Sequence, residues 1–357
     1  MNVLSLFDGM SCGQQALERI CIKVDNYFAS EIDKYAIQVT MANYPNTKQL
    51  GSVINVDGFS LPKIDLLIGG SPCQSFSFAG KRKGMSTKDE QEILTLEHYL
   101  QLKSEGYEFE GQSYLFWEYM RLLNEVKPKY FLLENVMMGE KWERVLSKAI
   151  GVNPIMINSS LVSAQNRQRL YWTNIGMESK GLFGDLESII EQPKDKGILL
   201  KDILESEVDD KYYLSDRMTK NMTFKNESLN IIGHSGTGGQ KGVIHNNNGK
   251  CSSLCATDYT QPKQIICHNM MLRSGDPKKG GTGHLERQDG KTYCLDTGST
   301  NAVEYNKSIR RLTPIECERL QTVKDNYTNH VSDTQRYKML GNGWTVNVIA
   351  HIFSYLK

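Results

Sequence analysis

Long apolar runs are missing from this sequence. Nowhere in its 357 residues is there a stretch approaching the length of about 18 apolar residues that a membrane-spanning helix needs. The mean hydropathy of -0.45 agrees. A secretory leader is also not expected: Asp8, Glu18 and Arg19 interrupt the first 20 residues, and no basic segment there precedes an apolar one. Cysteine is sparse. Eight thiols, at 12, 21, 73, 251, 255, 267, 294 and 317, form no regular framework, so disulfides are not expected. Neither sign of charge dominates: 42 Lys and Arg against 41 Asp and Glu leave +1. That balance excludes a uniformly basic nucleic-acid binder but not a local basic face. The absences leave a reduced, soluble, intracellular globular protein, with two domains or one large domain carrying an insertion.

What is present first is alternation. Residues 3–7, 27–30, 64–68 and 130–133 are short apolar runs, with 155–157 and 170–173 as later strand candidates. Helical patterns separate them, the first with Ala16, Leu17 and Ile20 on one face. Buried strands spaced by amphipathic helices predict an α/β fold, a Rossmann-like, mostly parallel sheet covered on both faces. Ligands in such sheets sit beyond the carboxyl ends of the strands. Glu31, Pro72-Cys73 and Glu134-Asn135 are expected just past strand ends. Thr313-Pro314 with Glu316 predicts a capped helix over 313–321, and 344–356 reads as the last helix.

The middle of the chain differs. Residues 178–210 hold ten acidic side chains against four lysines, whereas 217–303 hold eleven basic against six acidic. Twelve of the 30 glycines lie in 231–300, which predicts turns rather than helices. Gly242-Val243-Ile244, Gly249-Lys250 and Leu254 recur 41 residues later as Gly283-His284-Leu285, Gly290-Lys291 and Leu295. Two related β-hairpins in a small basic domain would explain that duplication. The expected division is 1–176, 177–305 and 306–357, the last part returning to the first. A polar stretch at 85–112 is expected to be a solvated helical insertion.

Three clusters could carry chemistry. Leu6-Phe7-Asp8-Gly9-Met10-Ser11-Cys12-Gly13 is a glycine-bearing turn between strand and helix, open to close approach by a ligand. Glu31 follows Asp8 by 23 residues, near the offset of about 20 for a carboxylate on ribose hydroxyls. An ordinary tight turn fits the same residues, because the full GxGxxG is absent. Cys73 stands behind Pro72 at a strand exit. A lone cysteine is most often a small buried hydrophobe, and the other seven are read so. Cys73 has company. Glu134 ends an apolar strand, where a carboxylate is costly unless paired or protonated. Arg167 and Arg169, two apart beside a strand, point to one face. They could hold a ring oxygen, a phosphate or that carboxylate. Cysteine, acid and paired arginines fit nucleophilic attack on an electron-poor ring.

The order Phe7-Asp8-Gly9, Pro72-Cys73-Gln74, Glu134-Asn135-Val136, Gln165-x-Arg167-x-Arg169, Arg311-Leu312-Thr313-Pro314-x-Glu316-x-x-Arg319-Leu320-Gln321 and Gly341-Asn342 resembles the cytosine-5 DNA methyltransferases. The match covers 1–80, 113–176 and 307–357, and the text at 339–346 also looks like the animal de novo branch. A phage or bacterial enzyme is expected. The resemblance implies a methyltransferase sheet with a smaller β-rich target-recognition domain in the variable segment. It implies that Cys73 attacks carbon 6 of a flipped-out cytosine in a specific site, forming a covalent adduct. Glu134 would contact ring N3 and the exocyclic amine, with Asn135 beside it in the catalytic set. Arg167 would steady the ring oxygen, and Arg169 the pocket or a phosphate. Carbon 5 then takes a methyl from S-adenosyl-L-methionine, leaving S-adenosyl-L-homocysteine. Phe7, Asp8, Gly9, Gly13, Glu31, Ile32, Pro72, Asn342 and Trp344 would hold that cofactor. Gln74, Ser77, Lys81 and Arg82 would meet DNA from a closing loop at 75–83, hinged at Gly80 and Gly84.

Double-stranded DNA is the implied partner, with a cognate restriction endonuclease as a further candidate, in a bacterial or phage-infected cytoplasm. The +5 balance of 217–303 suits phosphate contacts. One departure concerns adenine: Ser52 stands where the family carries an acidic residue, with Asp57 a poor substitute. No metal is expected, because Cys251, Cys255, Cys267-His268 and His284 lack the usual CxxC pairing. Competing readings are a tRNA cytosine-5 methyltransferase, a non-catalytic DNA-binding regulator, and a nicotinamide-dependent oxidoreductase that would leave Cys73 without a task.

Overall fold

The computed structural model describes residues 1–72, 85–180, 185–213, 222–224, 231–235, 243–246, 249–256, 263–267 and 308–357. The chain opens with β1 (Asn2–Leu6), α1 (Cys12–Arg19), β2 (Asn26–Ser30), α2 (Lys34–Asn43), β3 (Lys48–Gln49) and β4 (Leu66–Gly70). Helices α3 (Leu96–Ser104) and α4 (Phe116–Val126) precede β5 (Tyr130–Val136), α5 (Glu140–Ile150), β6 (Ile155–Asn158), β7 (Gln165–Asn166) and β8 (Gln168–Thr173). Strands β9 (Met177–Lys180) and β10 (Asp185–Ser188) pair with each other. Later come β11 (Met222–Phe224), β12 (Ile231–Ser235), β13 (Val243–His245), β14 (Cys251–Ser252), β15 (Gln264–Cys267) and β16 (Ser308–Arg311). Helices α6 (Pro314–Leu320), α7 (Asp333–Asn342) and α8 (Val346–Phe353) end the chain.

The main sheet has seven strands in the order β3-β2-β1-β4-β5-β8-β6. Its first five are parallel, and β8 runs antiparallel to both neighbours. Alternation along each strand divides the apolar residues between two cores. Val3, Leu66, Ile68 and Leu132 enter one, while Leu4, Leu6, Leu67 and Leu133 enter the other. Helices α1 and α8 cover the first face and α4 and α5 the second. A sheet apolar on both faces needs such cover, which is why its strands read as continuous apolar runs.

Three expectations change. Strand β5 extends to Val136 because Val136 pairs with Arg169 on β8, so Glu134 and Asn135 lie within the strand rather than beyond it. The stretch at 85–112 is not simply solvated. Met85, Ile93, Tyr99 and Leu102 are buried against the second core. On α4 the wholly buried Glu118 accepts both the Tyr99 hydroxyl and the Lys103 ammonium at 2.5 Å. The expected hairpin at 242–254 does not form either. Strand β13 pairs with β12 and β15, whereas β14 pairs in parallel with β7. Its second copy at 283–295 lies outside the described residues.

The caps agree with the sequence. Thr313 accepts the Glu316 amide, and the Glu316 carboxylate returns to the Thr313 amide at 2.9 Å. The last helix begins at Val346 rather than Trp344, whose indole is used elsewhere. Among the described residues no helix is long and apolar enough to cross a membrane.

Candidate active site

A cavity of about 560 Å³ opens beyond the carboxyl ends of β1, β2, β4 and β5. Its cofactor-like end is built on turns. Phe7, Gly9 and Ser11 all have φ between 57° and 59°, a conformation that costs an L-residue about 1–2 kcal/mol. Asp8 braces that turn by accepting the Ser11 hydroxyl at 2.6 Å and the Tyr27 hydroxyl at 2.8 Å. Burial pushes the Asp8 carboxyl up to about 6, with the Ser11, Ser5 and Tyr27 hydrogen bonds opposing. Glu31 joins the turn to the exit of β2. It accepts the Gly9 amide at 2.8 Å, the Ile32 amide at 2.7 Å and the Asp33 amide at 2.8 Å. A carboxylate has about four acceptor sites, so capacity for a ligand hydroxyl remains.

The other end is built on side chains. Diagonal placement across β5 and β8 brings Glu134 and Arg169 together, with Arg169 Nε 3.0 Å from Glu134 Oε1. Trp344 Nε1 donates to the second oxygen at 3.1 Å. The buried acid is therefore paired. Gly70 faces Glu134 across the ladder, and a Cβ there would fall 2.9 Å from Trp344 Nε1 and 3.0 Å from Glu134 Oε2. Only glycine leaves room for that contact. Asn135 donates to Ser71 Oγ at 3.0 Å and to the Ser71 carbonyl at 3.2 Å. It thereby ties β5 to the segment that leaves β4.

Phe7, Asp8, Gly9, Glu31, Ile32, Pro72, Asn342 and Trp344 all line this one cavity, as do Glu134, Asn135, Arg167 and Arg169. Gly13 does not. Its missing Cβ would collide with the Ile68 side chain at 2.3 Å, so its role is packing of α1 on the sheet. Arg167 also departs from expectation. It falls between β7 and β8, and its terminal nitrogens donate to the carbonyls of Leu254 at 2.9 Å and Gly343 at 3.0 Å. The cation beside the acid is Arg169. Ser52 lines the cavity, whereas Asp57 does not, because its carboxylate caps the Phe59 amide at 3.0 Å. Cys73, Gln74, Ser77, Lys81 and Arg82, with the loop at 75–83, lie outside the described residues. Cys12 puts a thiol on the cavity wall, but burial pushes it up to about 12, leaving it protonated and a poor nucleophile.

Sequence reasoning missed several wall residues. Asp33 and Lys338 line the cavity and pair at 2.8 Å. Gln112 comes from the end of the insertion, and Tyr114 and Leu115 from the 3-10 turn just before α4. The link from Trp344 to Glu134 spans 210 residues and has no local signal.

Comparison with known proteins agrees with this geometry. The chain is 28% identical to the orphan methyltransferase M.SPRI of Bacillus phage SPR, covering 100% of this chain and 97% of that protein. It is 29% identical to the type II methyltransferase M1.ScrFI of Lactococcus lactis subsp. cremoris, over 92% of this chain and 70% of the relative. Among solved structures, the Entamoeba histolytica methyltransferase EhMeth has a TM-score of 0.64 at 16% identity, covering 100% of this chain and 99% of its own. The S. pombe Dnmt2 methyltransferase has a TM-score of 0.59 at 16% identity, covering 99% and 97%. At that identity the likeness establishes the fold. The model of the C-5 cytosine-specific DNA methylases matches residues 1–357, so the chain belongs to that family and methylates cytosine in DNA at carbon 5.

Proposed function

We propose that the chain uses S-adenosyl-L-methionine as methyl donor, and that Cys73 is the nucleophile that adds to carbon 6 of a cytosine flipped out of double-stranded DNA. The observation carrying this reading is the single cavity that runs from Glu31 to Glu134. The residues fit the cofactor: an amide-anchored carboxylate suits ribose hydroxyls, and Ile32, 71% exposed on the wall, offers an apolar face to a base. Phe7, Asp8, Gly9, Ser52, Asn342 and Trp344 would complete that pocket. When bound, the cofactor supplies an electrophilic methyl on a sulfonium. Glu134 holds ring N3 and the exocyclic amine, and Arg169 holds both Glu134 and the ring oxygen. Asn135 holds Ser71, two residues before Cys73 in the sequence. A thiolate is needed for attack, and flipping exposes the carbon it attacks.

Residues 217–303 supply target recognition in this reading, with their +5 balance serving phosphate contacts. Gln74, Ser77, Lys81 and Arg82 meet DNA beside the flipped base. The enzyme acts in the cytoplasm, alone or beside a cognate restriction endonuclease. Labelled methyl transfer tests the reading. Duplex DNA should accept label, tRNA should not, and bisulfite sequencing should place the product at a defined site. Label in tRNA, or in adenine of DNA, would contradict it.

A further inference from the structure

Residues 249–256 belong by sequence to the glycine-rich variable segment, yet they pack behind the residues that line the cavity. Strand β14 pairs with β7 through Cys251 and Gln165, and the Cys251 amide donates to the Ala164 carbonyl at 2.7 Å. The Lys250 ammonium donates to the carbonyls of Ser160 at 2.5 Å and Ile198 at 3.0 Å. The Leu254 amide donates to Gln165 Oε1 at 2.8 Å. Beyond it, Gly341 sits so close that a Cβ would lie 2.3 Å from the Cys255 carbonyl group.

Arg167 stands between the two segments. One terminal nitrogen bridges Ser253 Oγ at 3.2 Å, the Leu254 carbonyl at 2.9 Å and the Gly341 carbonyl at 3.3 Å. The other meets the carbonyls of Gly341 at 3.3 Å and Gly343 at 3.0 Å. The side chain is 4% exposed and forms no ion pair among the described residues. Gly341 and Gly343 line the cavity next to Asn342 and Trp344, whereas residues 249–256 do not. A rigid planar fork holding both segments transmits a shift in either one to the other.

We propose that Arg167 is a positioning residue coupling the placement of residues 249–256, within the target-recognition segment, to occupancy of the cofactor pocket. The proposal rests on the cofactor reading above. Coupling of this kind is reciprocal, so a cofactor that orders 341–344 orders 249–256, and DNA held by that segment tightens the cofactor.

Hydrogen exchange over residues 249–256, with S-adenosyl-L-homocysteine binding followed separately by calorimetry, tests it. In the wild type the bound product should slow exchange of the Cys251 and Leu254 amides by about fivefold or more. Arg167→Lys keeps the charge but loses the fork; it should still bind the product while the slowing disappears. Gly341→Ala should speed exchange there and weaken product binding together. A merely structural Arg167 would change protection equally with and without product. Unchanged wild-type exchange on binding, or slowing retained in Arg167→Lys, overturns the coupling. If calorimetry shows no binding to the wild type, the cofactor reading itself fails and the coupling falls with it. The wild-type comparison stands even where a variant does not fold.

Discussion

Two carboxylates, Glu31 and Glu134, stand at the carboxyl ends of the same sheet and line the same cavity. They are held in opposite ways. Glu31 accepts three main-chain amides, none more than 22 residues from it in the chain, so its position follows from the local turn. Glu134 is held by the Arg169 guanidinium and the Trp344 indole, the latter 210 residues away. A main-chain cradle suits a recurrent ligand that must only be bound. A side-chain cradle can respond to a substrate that enters and changes charge during reaction. The base end should therefore govern turnover, and the cofactor end affinity.

Glu134→Gln should break the base end most. It keeps the shape but weakens the Arg169 pairing and the proposed hydrogen bonding to the ring, and kcat should fall by about 10²–10⁴-fold. Cofactor affinity measured by calorimetry should stay within a few-fold. A loss confined to KM for the cofactor would erase the contrast. Glu31→Ala should do the reverse. It strips three amides of their acceptor and removes the carboxylate proposed to hold the ribose, so the cofactor Kd should rise by about 10–100-fold, at about 1–3 kcal/mol for lost hydrogen bonds. A kcat defect with normal binding would contradict it. Trp344→Phe keeps an aromatic ring and deletes only the donor to Glu134. One lost hydrogen bond to a charged group, about 1.5 kcal/mol, should lower kcat/KM by roughly tenfold.

The smallest effect is on stability. The Asp8 carboxyl, raised from 3.8 to about 6 by burial, takes up its proton more readily folded than unfolded. Stability therefore declines as pH rises from near 4 to 6, and the loss persists above. Asp8→Asn stays neutral, so its melting temperature relative to wild type should gain about 2 °C between pH 4 and 7. A difference independent of pH would show that the site does not titrate in that range.

Much of the cofactor end was legible because its determinants are local. The apolar runs placed β1, β2 and β4 within two residues, and the Thr313 capping box fell where Pro314 and Glu316 indicated. At the base end the residue types suggested attack on an electron-poor ring, while the individual roles came only from family resemblance. Nothing near Arg167 says that its donors go to Leu254 and Gly343, or that Arg169 rather than Arg167 pairs with Glu134. Tertiary pairing also lengthened β5 past its apolar run. In the insertion, Leu96, Tyr99 and Leu102 recur at helical spacing on α3 and pack on the second core, and the Tyr99 hydroxyl reaches Glu118. The hairpin at 242–254 failed because β7 offered β14 a partner that no repeat could reveal.

Covalent trapping addresses the chemistry most directly. Duplex DNA carrying 5-fluorocytosine at the mapped site, incubated with enzyme and S-adenosyl-L-methionine, cannot lose a proton from carbon 5. Wild-type protein should form a denaturation-resistant adduct, with the modified peptide containing Cys73, and Cys73→Ala should form none while still binding the product. Methylation surviving in Cys73→Ala, or an adduct on another residue, would contradict the assignment.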